Sequence, residues 1–350
     1  MKITSKLGLA VSAAVVAISM AGSAQAAGEL HLFNWANYFP PDLMKKFEAD
    51  TGTKITLDTY ASDEDMVAKL QAGGGGYDIV FPGGQTVEAL VKQGLVEKID
   101  AKSMPNFKNV QMPFQTVPGD DGREYSVPFM WGTTGFTYDS AKVPGGKLDE
   151  SWKEFFEPRA ELVGKLGALD SVADLYNAAA YYVGVDKCTE DGAEAQKILD
   201  VLLKQKEAVK IYATSGTIDA VVAGETILFQ HWNGAAHRTK EQLPTAVYVY
   251  PKEGTGFWTD NMMVAKGAPN LENAKIFLNW MMAPENAAVA SNFSGYMNSI
   301  DGSGEFLVDS MKADPAINMP AEFQDRLVPV KFCSPKALEL RDKVWTRLKS

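Results

Sequence analysis

The chain has 350 residues, 46% of them apolar and 22% charged, which is more than a single core usually serves. Its 44 acidic and 34 basic residues leave a formal charge of −10, which argues against nucleic acid or an anionic membrane surface as partner. Only two Cys and three His occur, and neither Cys188 nor Cys333 has a Cys or His at metal-ligand spacing, so no metal and no cofactor is expected.

The first element in chain order is a leader. Lys2 and Lys6 precede an almost unbroken apolar run over residues 7–20, and Ala24-Gln25-Ala26 supplies small residues for cleavage. The run is too short for the roughly 20 residues of a spanning helix. Residues 1–26 therefore read as a signal peptide cleaved near Ala26, which sends the remaining 324 residues, at formal charge −12, to the periplasm. Export places Cys188 and Cys333 where disulfides persist, and a bridge between them is a candidate.

After the leader, residues 30–34 have a short apolar strand pattern. Pro40-Pro41-Asp42 opens a helix with Leu43, Met44 and Phe47 on one face, and Gly52 ends it. Period-two alternation predicts a strand over 54–60. Ser62, with Asp65 three residues on, caps a helix carrying Met66, Val67 and Leu70. Glycines 73–76 stop that helix; residues 77–81 read as a buried strand and 86–93 as a helix. This βαβαβ order implies a largely parallel sheet with ligands at the carboxyl ends of its strands.

Residues 125–139 read as extended chain with Gly132 in the middle, a crossing from one lobe to another. Helices follow over 173–183 and 193–204. A strand over 226–232 ends at Asn233-Gly234, and residues 248–260 form a return crossing. The last two helices are predicted over 272–282 and 336–348. The organisation expected is an α/β fold of two lobes, 27–133 with 259–304 and 134–258 with 305–350, joined by a hinge.

Catalytic signatures are missing. No H-E-x-x-H, no G-x-S-x-G elbow and no phosphate loop occurs, since glycines 73–76 precede a strand and lack the following Lys-Ser/Thr. The chain reads as a binding protein and not an enzyme. Aromatic residues instead stand at strand ends beside polar groups: Trp35 and Tyr38 after the first strand, Trp232 at the end of another, Trp258 and Asp260 in the return crossing, and Tyr296 after a helix. Such a set suits an organic cation. Flat rings cover methylenes and attract ammonium groups by about 0.5–2 kcal/mol each, and carboxylates meet the charge. Taken singly, each of these aromatics is also an ordinary core residue; together they support a two-lobed receptor of unspecified ligand.

At these residues the sequence resembles the spermidine/putrescine-binding components of bacterial ABC transporters. The likeness is carried by FNWANYFPP (33–41), TYASDEDM (59–66), YDIVFP (77–82), YSVPFMWGTTG (125–135), HWNGAA (231–236), PKEGTGFWTDN (251–261) and SGYMNS (294–299), all in the same order. The resemblance implies a type II periplasmic-binding fold with the ligand between the lobes. It places Trp35 and Tyr38 on the N-lobe side, stacks Trp232 and Trp258 on the methylene chain, sets Asp260 against one ammonium and closes the box with Tyr296. Asp174 takes the position of a family acid, Ser62 matches a cleft-lining loop, and Gln85 stands where some members carry an aromatic. Ser171 replaces a second acid, which puts putrescine ahead of spermidine; an opine, a guanidino compound or an amino acid derivative is the alternative. The implied partner is the permease of an ABC importer, and the receptor is expected to be a monomer.

Overall fold

A computed structural model describes residues 28–328 and 331–350; the leader expected over residues 1–26 lies outside them. The strands are β1 (Glu29–Trp35), β2 (Lys54–Tyr60), β3 (Ile79–Val80), β4 (Ser126–Asp139), β5 (Leu166–Ala168), β6 (Val209–Tyr212), β7 (Leu228–Trp232), β8 (Ala246–Val249), β9 (Thr255–Val264), β10 (Met297–Asn298) and β11 (Leu327–Val328). They form one sheet whose main order is β2-β1-β3-β9-β4-β7-β5-β6, with β8 and β10 on β4 and β11 on β9. The N-terminal strands β1, β2 and β3 are parallel, as the βαβαβ reading requires.

Local chemistry sets the N-terminal elements. Pro41 begins the helix Pro41–Thr51, and Gly52 ends it in the left-handed conformation at φ 74°. The Ser62 hydroxyl accepts from the Asp65 amide at the start of the helix Asp63–Gln71. Gly73, Gly75 and Gly76 all adopt positive φ in the turn that follows, a conformation that costs glycine little.

The two predicted crossings pair with each other. β4 and β9 run antiparallel, with Ser126 opposite Met263, Gly132 opposite Trp258 and Thr134 opposite Gly256. A register shift between Pro128 and Trp131 inserts one extra residue into β4, a bulge that bends the strand between the lobes. On one side, Leu32, Phe47, Phe81, Phe129, Phe277 and Tyr296 share a buried core. On the other, Phe136, Trp152, Phe155, Leu175, Leu199 and Leu348 share a second. Each lobe thus has its own apolar interior, with the backbone ladders of β4 and β9 running between them.

One expectation needs correction. The return crossing starts at Thr255 and not at residue 248, because Pro251 to Gly254 turns the chain after β8. The strand ends at Trp232 as expected; the helix Asn233–Gln242 follows it directly, and the helix before Tyr296 spans Pro284–Ser294. After residue 304, Leu307 and Met311 pack with Ala288.

Cys188 and Cys333 are joined by a disulfide across 145 residues of sequence. The bond fastens the loop after the helix Val172–Val183 to the entrance of the helix Pro335–Lys349, both in the second lobe. Closing so long a loop in the unfolded chain removes much of its entropy. Replacing both residues (Cys188→Ser with Cys333→Ser) should lower stability to unfolding by about 2–5 kcal/mol in urea denaturation; an unchanged midpoint would contradict that contribution.

Candidate functional site

The turn from β1 into the first helix delivers the first residues of the site. Asn37 takes φ 57° there, a left-handed conformation that Asn tolerates better than most residues. The Trp35 indole donates to the Phe81 carbonyl at 2.9 Å and meets Tyr60 edge-on at 4.6 Å. Tyr38, which is buried, donates its hydroxyl to Asp260 Oδ2 at 2.6 Å. Asp260 comes from the opposite end of the sequence on β9, two residues beyond Trp258, so the indole and the carboxyl share one face of the strand.

Tyr296 completes this corner. Gly295 ends the preceding helix at φ 80°, and a side chain there would come within 2.8 Å of the Gly234 carbonyl. The Tyr296 ring then lies 5.0 Å from Trp258 and 5.6 Å from Tyr38, edge to face with both. It also lies against Gly234, where a Cβ would sit 2.5 Å from the ring. A residue of the first lobe thus rests on the first turn of a helix in the second.

Across the crossing stand Trp232 and Asp174. Trp232 packs against cores on both sides. Thr134 and Ser171 donate to Asp174 at 2.8 and 2.7 Å. Burial raises the Asp174 carboxyl above its ordinary range, and hydrogen bonds from Ser171, Thr134 and Trp232 pull it back. Asp260 is pushed up further: burial dominates, the Tyr38 hydrogen bond opposes it, and the charges of Asp63 and Asp174 add to it. Among the described residues, no basic side chain forms an ion pair with Asp63, Asp174 or Asp260.

Asp63 is the residue that sequence reasoning missed. It follows Ser62 directly, yet its carboxyl turns inward and accepts from the Gly83 amide, the Gln85 amide and the Thr86 hydroxyl at 3.2, 2.8 and 2.6 Å. Gly83 in turn bridges Asp260 across the sheet. Ser62 and exposed Gln85, both named from the sequence, therefore approach the site through Asp63: the Ser62 hydroxyl serves as a helix cap and the Gln85 amide as a donor to the buried acid. The available signal was the run Asp63-Glu64-Asp65, which does not say which carboxyl faces inward.

A groove of about 530 Å³ lies elsewhere, between the helices Gly192–Lys206 and Pro335–Lys349, and includes none of these residues. A cavity of about 20 Å³ adjoins Asp174. The cluster of aromatic rings and unpaired acids, not the larger groove, has the chemistry to hold a desolvated cation.

A family model described as bacterial extracellular solute-binding protein matches residues 42–321. The putrescine-binding periplasmic protein SpuD of Pseudomonas aeruginosa is 30% identical over 99% of both chains. The spermidine/putrescine-binding periplasmic protein of Escherichia coli is 31% identical over 82% of each. Among solved structures, a Listeria monocytogenes protein assigned to a spermidine/putrescine ABC transporter superposes with a TM-score of 0.85 at 26% identity, over 92% of this chain and 99% of that one. The superposed proteins share the type II periplasmic-binding fold.

Burial lifts the Asp63 carboxyl from 3.8 to about 6. A raised acid pKa favours the folded state fully below the unfolded value, and that advantage is lost as pH rises through about 6. The stability of the chain relative to Asp63→Asn should therefore fall by about 2 kcal/mol between pH 4 and pH 7. Parallel denaturation curves in that window test this, and a pH-independent difference would contradict it.

Proposed function

The chain belongs to the bacterial extracellular solute-binding protein family, and on that premise we propose that it is the periplasmic receptor of an ABC importer, capturing a small polyamine, with putrescine favoured over spermidine. One observation carries the reading: Asp260, buried and, among the described residues, without a basic ion-pair partner, is hydrogen-bonded by Tyr38 beside the Trp258 and Tyr296 rings. The names of the relatives from Pseudomonas aeruginosa and Escherichia coli support the ligand class.

In this reading one ammonium pairs with Asp260, the methylenes lie against Trp258 and Trp232, and Asp174 meets the other end, with Trp35 on the N-lobe wall. Ammonium–ring contacts contribute about 0.5–2 kcal/mol each, and the carboxylates remove the cost of an unpaired buried charge. Closure of the lobes over the amine follows from its touching both, since the ligand stabilises whichever arrangement it contacts more fully. We assign the crossings to 133/134 and 258/259, and move the last return from 305 toward Asp314–Ala316, where the Ala316 carbonyl accepts from Asn233 and Tyr250 of the second lobe. The chain acts as a monomer, is exported with cleavage near Ala26, and presents its closed form to the membrane permease.

A second reading keeps the site and changes the cation. Ser171 donates to Asp174 and adds no acid of its own, and Gln85 offers an amide where some members of the family carry an aromatic, which suits an opine or a guanidino compound.

Calorimetry with putrescine, cadaverine, spermidine and spermine tests the proposal: at least one should bind, and silence from all four would overturn it. Asp260→Asn should weaken that binding by about tenfold or more. Pairing with an ammonium should also expel a proton from the raised Asp260 carboxyl, so affinity should decline as pH is lowered and the measured heat should vary with the buffer's ionisation enthalpy. Equal heats in all buffers would show that Asp260 already carries its charge.

A further inference from the structure

The helix Pro335–Lys349 packs on the helix Val172–Val183, which carries Asp174 in its first turn. Leu175, Tyr176 and Ala179 of one and Val344 and Leu348 of the other belong to the same buried core. With 15 and 12 residues, the two helices are about 22 and 18 Å long, so the first can span the second end to end.

Both ends are fastened. At the entrance of the helix Pro335–Lys349, Cys333 is bonded to Cys188, Lys331 pairs with Asp186, and the Ser334 hydroxyl donates to Glu190. Asp186, Cys188 and Glu190 all lie in the loop that leaves the helix Val172–Val183. In the last turn, the Lys349 ammonium pairs with Asp170 at 2.6 Å and stands over the Tyr212 and Trp345 rings at 4.7 and 5.0 Å. Asp170 immediately precedes Ser171, which caps the helix Val172–Val183 and donates to Asp174 at 2.7 Å. The two helices therefore run in opposite senses, each end of one tied to an end of the other.

The two ties differ in strength. A partly exposed ion pair contributes little alone, and the two ring faces add to it, whereas the disulfide is covalent. Packed helices can slide past one another by small amounts, and fastening both ends removes that freedom. A slide here would move Asp174 away from the Thr134 hydroxyl, which reaches it from β4 at 2.8 Å.

We propose that the helix Pro335–Lys349 is a splint for the helix Val172–Val183, with Lys349 and Cys333 as positioning residues that fix where Asp174 stands. The role given to Asp174 rests on the cation reading above; the splint itself does not.

Hydrogen exchange on the ligand-free chain tests the splint alone. Lys349→Met removes the charge and nearly keeps the length of the side chain. Amides of residues 175–179 should then exchange about threefold or more faster, those of the helix Asp63–Gln71 should not change, and Lys349→Arg should restore the protection. Unchanged exchange at 175–179 would overturn the proposal.

Calorimetry tests whether the splint serves Asp174, with the tightest binder among putrescine, cadaverine, spermidine and spermine as probe. Lys349→Met should weaken binding by about threefold with the disulfide intact, and by about tenfold when combined with Cys188→Ser and Cys333→Ser. In an Asp174→Asn background the Lys349→Met loss should shrink to less than about 1.5-fold, as expected of a residue that acts through another. Equal losses in both backgrounds would overturn the positioning role, and the comparison made with the disulfide intact decides even if the triple variant does not fold. Silence of the unchanged chain toward all four amines would sink the cation reading, while the exchange experiment still decides the splint.

Discussion

A carboxyl taken out of water must either keep its proton or find a positive charge. Asp260 meets this constraint with a single phenol donor, and Asp63 and Asp174 meet it with uncharged donors only. Asp63 and Asp174 stand close enough to raise the proton affinity of Asp260, and three buried acids with no basic side chain forming an ion pair among the described residues are an unfavourable arrangement for stability alone. The surrounding aromatic rings make the same space favourable for a cation with an oily body. The architecture serves to hold this arrangement in place.

The acids come from separate structures that meet at the crossing of β4 and β9. Asp260 lies on β9, Asp63 at the head of a first-lobe helix, and Asp174 in the first turn of a second-lobe helix. Gly132 lets the crossing strands approach while Trp258 lies against them: a Cβ there would come within 2.4 Å of the indole and 2.5 Å of Asn233 Oδ1. Asn233 also accepts from the Thr133 amide and donates to the Ala316 carbonyl, tying the hinge strand to the start of one helix and to the last return of the chain. Two separately packed cores linked this way can reorient without exposing either interior.

Much of this could be read from the sequence where local chemistry decides it. Pro40-Pro41 and Gly52 fixed the ends of the first helix, period two marked β2, and the extended reading through residue 260 fell on β9. What stayed hidden depends on contacts distant in sequence. Asp63, Glu64 and Asp65 are equivalent as first-turn acids, and only the approach of Gly83 and Thr86 selects Asp63 for burial. The helix Asn233–Gln242 lacks an apolar stripe in its sequence because small residues, Gly234 and Ala235, make its contacts. Gln85 and Ser62 were located by motif, but their roles follow from a carboxyl that the motif does not single out.

β9 carries two independent messages in ten residues. Phe257 turns toward Trp131, whereas Gly256, Trp258 and Asp260 share the other face of the strand. Because the messages interleave, drift at one set need not disturb the other. Exchanging alternate letters of one strand can change the chemistry of one of its faces while the scaffold behind the other stays the same.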